Sequence, residues 1–326
     1  MARTQASTRP APARSHGPLV WAALGTIYLV WGTTYLGIRV VNESLPPLLA
    51  AGVRFLVAGG LMFGFSIVRG DRVGDRPTRA HWRTAVIVGG LLLVGGNGGV
   101  VWAEKTIPSG ITALIIALIP LWMALIDRIV YGRRLRWTPI LGLVTGFGGA
   151  ALLVTQSARA DVDLVGMLFA VGASLCWATG SLYSRHAPLP RRPLVGTGME
   201  MLAGGTFLVA VGIATGEVGR AAPAAFTGRS VLALGYLVVF GSLLAFTSYV
   251  WLLRNARTSL VSTYAYVNPV VAVLLGAAIL DESIGIRTLV AGTIIVGSVA
   301  LIISAKEVSP PPDLGSGAEA TEDPAG

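Results

Sequence analysis

Apolar residues run along this chain in ten long blocks separated by short polar links. The blocks cover 18–41, 47–68, 84–102, 109–130, 138–156, 163–184, 195–215, 231–253, 259–280 and 285–304. A helix needs about 20 apolar residues to cross a hydrocarbon core of roughly 30 Å. Each block therefore predicts one membrane-spanning helix. A core helix of a large soluble protein would keep polar residues on one face at the helical period. The stretch from Ile111 to Ala124 has almost none. The blocks are continuous and do not alternate, which excludes a membrane β-barrel. Pro46-Pro47, Pro108-Ser109-Gly110, Pro188, Pro190 and Pro193 punctuate the links. The predicted fold is all-α and integral to the membrane, with ten transmembrane helices.

The ten blocks form two sets of five that align with each other. Trp31 and Arg39 match Trp177 and Arg185, and Gly52, Arg54 and Gly59 fall against Gly198, Glu200 and Gly205 at the same offset of 146. Trp102 and Pro120 meet Trp251 and Pro269 at 149, and Gly142 and Ala150 meet Gly292 and Ala300 at 150. A near-constant offset across several helices is an internal repeat. Five is odd, so the second copy is expected to insert upside down. Inverted repeats allow one central site to open to each side of the membrane in turn. The expected organisation is a cytoplasmic tail (1–17), a first five-helix repeat (18–156), a second, inverted one (163–304) and a disordered cytoplasmic tail (305–326). The first block is too long for a cleaved signal peptide, so it reads as a retained helix.

Composition narrows the function. Of 326 residues, 53% are apolar and 13% charged, which excludes a disordered chain and an ordinary cytosolic enzyme. The single cysteine, Cys176, cannot form an internal bridge, and His16, His81 and His186 are scattered. No metal site or cofactor is therefore expected. The net charge of +9 does not mark a nucleic-acid binder, because the Arg residues lie between apolar blocks. With the N-terminus inside, inner segments hold 18 Lys and Arg and outer segments six, with Arg54 left inside a span. That asymmetry puts both termini in the cytoplasm. No phosphate-cradling loop with its Lys is present, so ATP is not the direct energy source. No catalytic cluster of carboxylates or His/Asp appears, so an integral-membrane enzyme ranks below a secondary transporter. A passive facilitator or channel-like pore stays as the alternative, without the rings of charge such a pore favours.

Several runs carry a family resemblance. They are Gly96-Asn97-Gly98-Gly99 to Trp102-Ala103-Glu104, Ile107-Pro108-Ser109-Gly110, Tyr236 to Gly241-Ser242, Thr263-Tyr264-Ala265-Tyr266-Val267-Asn268-Pro269, and the approach from Pro47 to Arg54-Phe55. With them, residues 18–304 resemble the EamA-type proteins of the drug/metabolite transporter superfamily. The resemblance implies a ten-helix inner-membrane carrier, most often an exporter of amino acids, other metabolites or toxic compounds. It also implies that the fifth and tenth spans are peripheral, where they offer a surface for a homodimer.

Charges deep in a bilayer cost on the order of 3 kcal/mol and usually face a cavity. Arg54 could grip a carboxylate with its planar fork or simply reach an interface. Glu200 is the candidate for proton coupling, since burial would draw its titration towards neutrality; a structural carboxylate is the plain alternative. His81 and His186 sit in solvated basic loops, and Asp127 and Glu104 sit at helix ends beside Arg128 and Lys105, which leaves Glu200 as the one acid well inside a span. Trp31 and Tyr35, one turn apart, and their repeat counterpart Trp177 are candidates for lining the pathway. Tyr264 and Asn268 share a helix face, and Asn97 adds a third polar group, each able to bind cargo or to join helices. Pro120 and Pro269 free a carbonyl inside their spans and are expected as matched hinges or kinks. The Gly-x-x-x-Gly pairs, such as Gly142/Gly146, predict close helix packing. The expected partners are a small-molecule substrate and the lipid bilayer.

Overall fold

The computed structural model describes residues 17–70, 76–132, 137–157, 163–256, 261, 263–280 and 284–304. The expected terminal tails lie outside the described residues, as do the Arg-bearing links 71–75 and 133–136. All regular structure among the described residues is helical. The first half holds α1 (Pro18–Asn42), α2 (Pro47–Val68), α3 (Arg79–Ala103), α4 (Ser109–Val130) and α5 (Trp137–Ser157). The second holds α6 (Leu164–His186), α7 (Pro193–Ala214), α8 (Gly228–Leu252), α9 (Tyr264–Leu280) and α10 (Ile286–Ser304). Seven of these, all but α5, α9 and α10, are long and apolar enough to cross a membrane. The other three carry shorter apolar stretches, Ile140–Gly149, Val267–Ile279 and Ile286–Ser298.

Local chemistry explains where the helices start and stop, and it repeats between the halves. Pro47 and Pro193 open α2 and α7, where a fixed φ is pre-set for a helix and no amide is lost. Both helices end on a glycine in the left-handed region, Gly70 (φ 73°) and Gly216 (φ 74°), a conformation that costs other residues. Thr78 caps α3 by accepting from the His81 amide at 3.2 Å, and Thr227 caps α8 by accepting from the Ser230 amide at 3.2 Å. Thr78 lies ahead of the apolar block, so α3 begins about a turn before hydrophobicity alone suggests.

Two features depart from a plain ten-helix reading. Each of α3 and α8 widens into a π-helix, at Gly90–Gly98 and Leu237–Phe246, again at matched places. The prolines, in contrast, are not equivalent. Pro269 lies inside a continuous α9. Pro120 follows a break at Ala117–Leu118 and sits in the first turn of the segment Ile119–Tyr131, where its missing amide costs nothing. The break falls one turn ahead of Pro120, where a proline frees a carbonyl, whereas Pro269 sits in an unbroken helix.

Packing joins the halves through glycine. A Cβ on Gly52 would come within 3.0 Å of the Gly205 carbonyl oxygen, and one on Gly59 within 2.9 Å of the Gly198 carbonyl oxygen. Residue numbers rise along α2 as they fall along α7, so the pair is antiparallel and in backbone contact. Gly146 against Ser298 and Gly149 against Ile295 set α5 antiparallel to α10 in the same way. The remaining contacts come in exchanged pairs: α1 packs on α8 and α9, while α6 packs on α3 and α4. Charges flanking α7 hold both ends of α2. The Glu217 carboxylate accepts from the Leu48 and Leu49 amides, both at 3.0 Å, and Arg192 donates to the Ser66 and Gly70 carbonyls at 2.9 Å. An acid at the N-terminus and a base at the C-terminus both suit the helix dipole. Outward faces are apolar, as with Val53, Val57 and Leu61 on α2, a surface made for lipid.

Candidate functional site

Where the halves meet, they form a cavity of about 70 Å³, room for several waters or a small ligand. From the first half, Trp31, Thr34 and Tyr35 on α1, Arg54 and Phe55 on α2, Gly96 and Asn97 on α3, and Ile116 and Ile119 on α4 line it. From the second half come Ala173 and Trp177 on α6, Gly241 and Phe246 on α8, and Tyr264 and Asn268 on α9. All seven residues singled out for the pathway (Trp31, Tyr35, Arg54, Asn97, Trp177, Tyr264 and Asn268) therefore share one space. The wall is mostly apolar with a few polar groups, the usual make-up of a small-molecule site.

Trp31 is its hub. The ring meets Tyr249 at 4.9 Å, Tyr264 at 5.3 Å, Trp177 at 6.1 Å and Phe246 at 6.2 Å between centroids. Several of these contacts are edge-to-face, the arrangement ring quadrupoles favour. Its indole N–H donates to the Gly241 carbonyl at 3.3 Å. Gly96 lets Trp177 in: a Cβ there would lie 2.9 Å from the indole. Both glycines belong to the π-helices, so the widened turns form part of the cavity wall. π-turns often mark functional sites.

Arg54 is the charged group in this space. Only 5% of it is exposed, its Nε donates to Ser242 Oγ at 2.8 Å, and its guanidinium carbon lies 4.8 Å from the Phe55 ring centroid. Gly241 leaves room beside it, since a Cβ there would come within 2.9 Å of Nη2. Asn268 is 4% exposed and its Oδ1 is buried without a hydrogen-bond partner. Glu200 is buried on α7, where its backbone carbonyl packs against Gly89 of α3; it does not line the cavity. Glu104, passed over as a helix-end acid, is wholly buried. Arg39 reaches across to its backbone carbonyl. The adjacent Lys105 is the exposed one, with its ammonium 4.8 Å from the Trp102 ring. Side chains of Asp127 and His186 lie outside what is described.

Sequence reasoning missed Ser242, Gly241 and Phe246 as site residues. Gly241-Ser242 stands inside a run that carried the family resemblance, but nothing in the spacing marks Ser242 as the partner of Arg54.

The sequence pattern of the EamA-like transporter family matches residues 19–155 and again 164–304. The chain belongs to that family. It is 37% identical over 294 residues to a protein of Escherichia coli (strain K12) named uncharacterized inner membrane transporter YedA, covering 89% of this chain and 92% of that one. Protein PecM of Dickeya dadantii is 26% identical over 293 residues, covering 86% and 93%. Uncharacterized transporter YvbV of Bacillus subtilis is 22% identical over 284 residues, covering 86% and 90%. A solved crystal structure shares the fold at a TM-score of 0.59 and 23% identity, over 86% of this chain and 95% of its own. This member of the EamA-like family is a membrane transporter built from two copies of one family unit.

Proposed function

We propose that the chain is a ten-span secondary carrier of the inner membrane that exports small metabolites by alternating access, with both termini in the cytoplasm. The observation that carries this reading is the cavity between the halves, walled by α1 to α4 of one and by α6, α8 and α9 of the other. Equivalent helices run antiparallel, α2 against α7 and α5 against α10, and the exchanged contacts of α1 and α6 support a two-fold relation. Such a relation supports inverted repeats, for which inward- and outward-open states are two settings of one device. The seven cavity residues would bind cargo. Glu200, buried but away from the cavity, would couple transport to protons through α7.

Reconstitution tests the carrier. Vesicles preloaded with a metabolite extract should show saturable uptake of single labelled compounds, accelerated by cargo on the far side. Continuous conductance without saturation would point to a pore. Glu200→Gln should abolish accumulation driven by a pH gradient while passive exchange persists.

A further inference from the structure

We infer that the cargo is a small organic acid, with one carboxylate, an apolar or aromatic body and a hydrogen-bond donor; this rests on the cavity being the cargo site. Three observations converge on it. First, the Arg54 guanidinium is buried, and among the described residues no carboxylate meets it. The cavity it faces has room for waters, and a carboxylate that takes their place would supply the counter-charge that the described residues do not. The Arg54 Nε is taken by Ser242, which leaves the terminal nitrogens for a carboxylate, the planar anion that a guanidinium fork fits. A phosphate monoester, with nearly two charges, would call for a second cation, and none lines the cavity among the described residues.

Second, Asn268 Oδ1 is an acceptor buried without a partner. An unmet buried acceptor is unfavourable, and a hydroxyl or N–H on the cargo would meet it. Third, Trp31, Phe246 and Tyr264 supply a ring-lined wall that suits an apolar body. Aromatic walls also attract cations, but the fixed charge of Arg54 in the same space repels them.

Mandelate combines the three features; mandelamide keeps its ring and hydroxyl but carries a neutral amide in place of the carboxylate. Titrated into the full-length protein in lipid nanodiscs and followed by calorimetry, mandelate should bind at least tenfold more tightly than mandelamide, phenethylamine or phenyl phosphate. This comparison needs no variant. Arg54→Gln should weaken mandelate at least tenfold, and Arg54→Lys should fall between, because an ammonium lacks the fork. Equal binding of the amide, tighter binding of the amine or of phenyl phosphate, or no mandelate binding at all would overturn the inference. Exchange in vesicles separates the two readings. Trans-stimulated transport of a neutral or cationic compound keeps the carrier and removes the acid; mandelate binding without any exchange does the reverse.

Discussion

Arg54 illustrates how one residue's meaning depends on its surroundings. From the sequence it is a cation in an apolar block; in the fold it is held by Ser242 and Phe55 beside a glycine. Gly241 matters here because a methyl group would intrude on Nη2 at 2.9 Å. Gly241→Ala should therefore turn the guanidinium aside and weaken mandelate binding about tenfold, the scale of a misplaced polar contact. Thermal unfolding should change little, because the displaced atoms border open space; equal loss of stability and binding would mark Gly241 as packing alone. Glu104 and Glu200 are the two acids whose burial invites comparison. Glu104 was dismissed because Lys105 follows it, yet the two side chains part, one inward and one outward. Measuring pH-gradient-driven accumulation in Glu104→Gln beside Glu200→Gln decides between them: retention in the first and loss in the second is expected.

At the scale of elements, α2 and α7 behave as one unit. Their glycine pairs place backbone on backbone, and Glu217 and Arg192 fasten the two ends of α2. Gly52→Val has no free volume to enter and should cost about 1–3 kcal/mol by overpacking, read as a lower melting temperature in detergent. Glu217→Ala removes the acceptor for two amides and should cost about 1–2 kcal/mol, the range of a lost N-terminal cap. A substitution on the lipid-facing side of the same helix, such as Val57→Leu, should leave melting unchanged. Pro47 and Pro193 were legible as breaks because a proline acts within one turn of itself, whereas the Thr78 and Thr227 caps, which start α3 and α8 ahead of their apolar blocks, were not. The π-helices were not, because they differ from α-helix by a single residue per turn and glycine runs such as Gly95 to Gly99 also read as packing motifs. Pro120 shows the same limit: the helix break at Ala117–Leu118 just ahead of it is seen only in the fold.

For the whole molecule, the proposed alternating access has to leave the backbone contact of α2 with α7 closed. A cross-link between these two helices should leave exchange intact, measured as counterflow in vesicles, whereas one between α1 and α9, which pack together beside the cavity, should stop it. Equal inhibition by both would show that the halves must part along their full interface.

Length, polarity and repetition were determined by the sequence itself. Lipid offers no hydrogen bonds, so each span must satisfy its own backbone and declare itself by about 20 apolar residues. The repeat was legible for the same reason, as matched residues at a nearly fixed offset. Tertiary structure alone decided which polar groups converge: that Asn268 and Arg54 face one space, that Ser242 takes Nε, that Glu104 is buried and that Glu200 stands apart. Helices in lipid associate through close packing and a few polar contacts, with no hydrophobic pattern to mark the inner face. Their mutual register and rotation are therefore written in pairs of residues from both halves, and those pairs meet only in the fold.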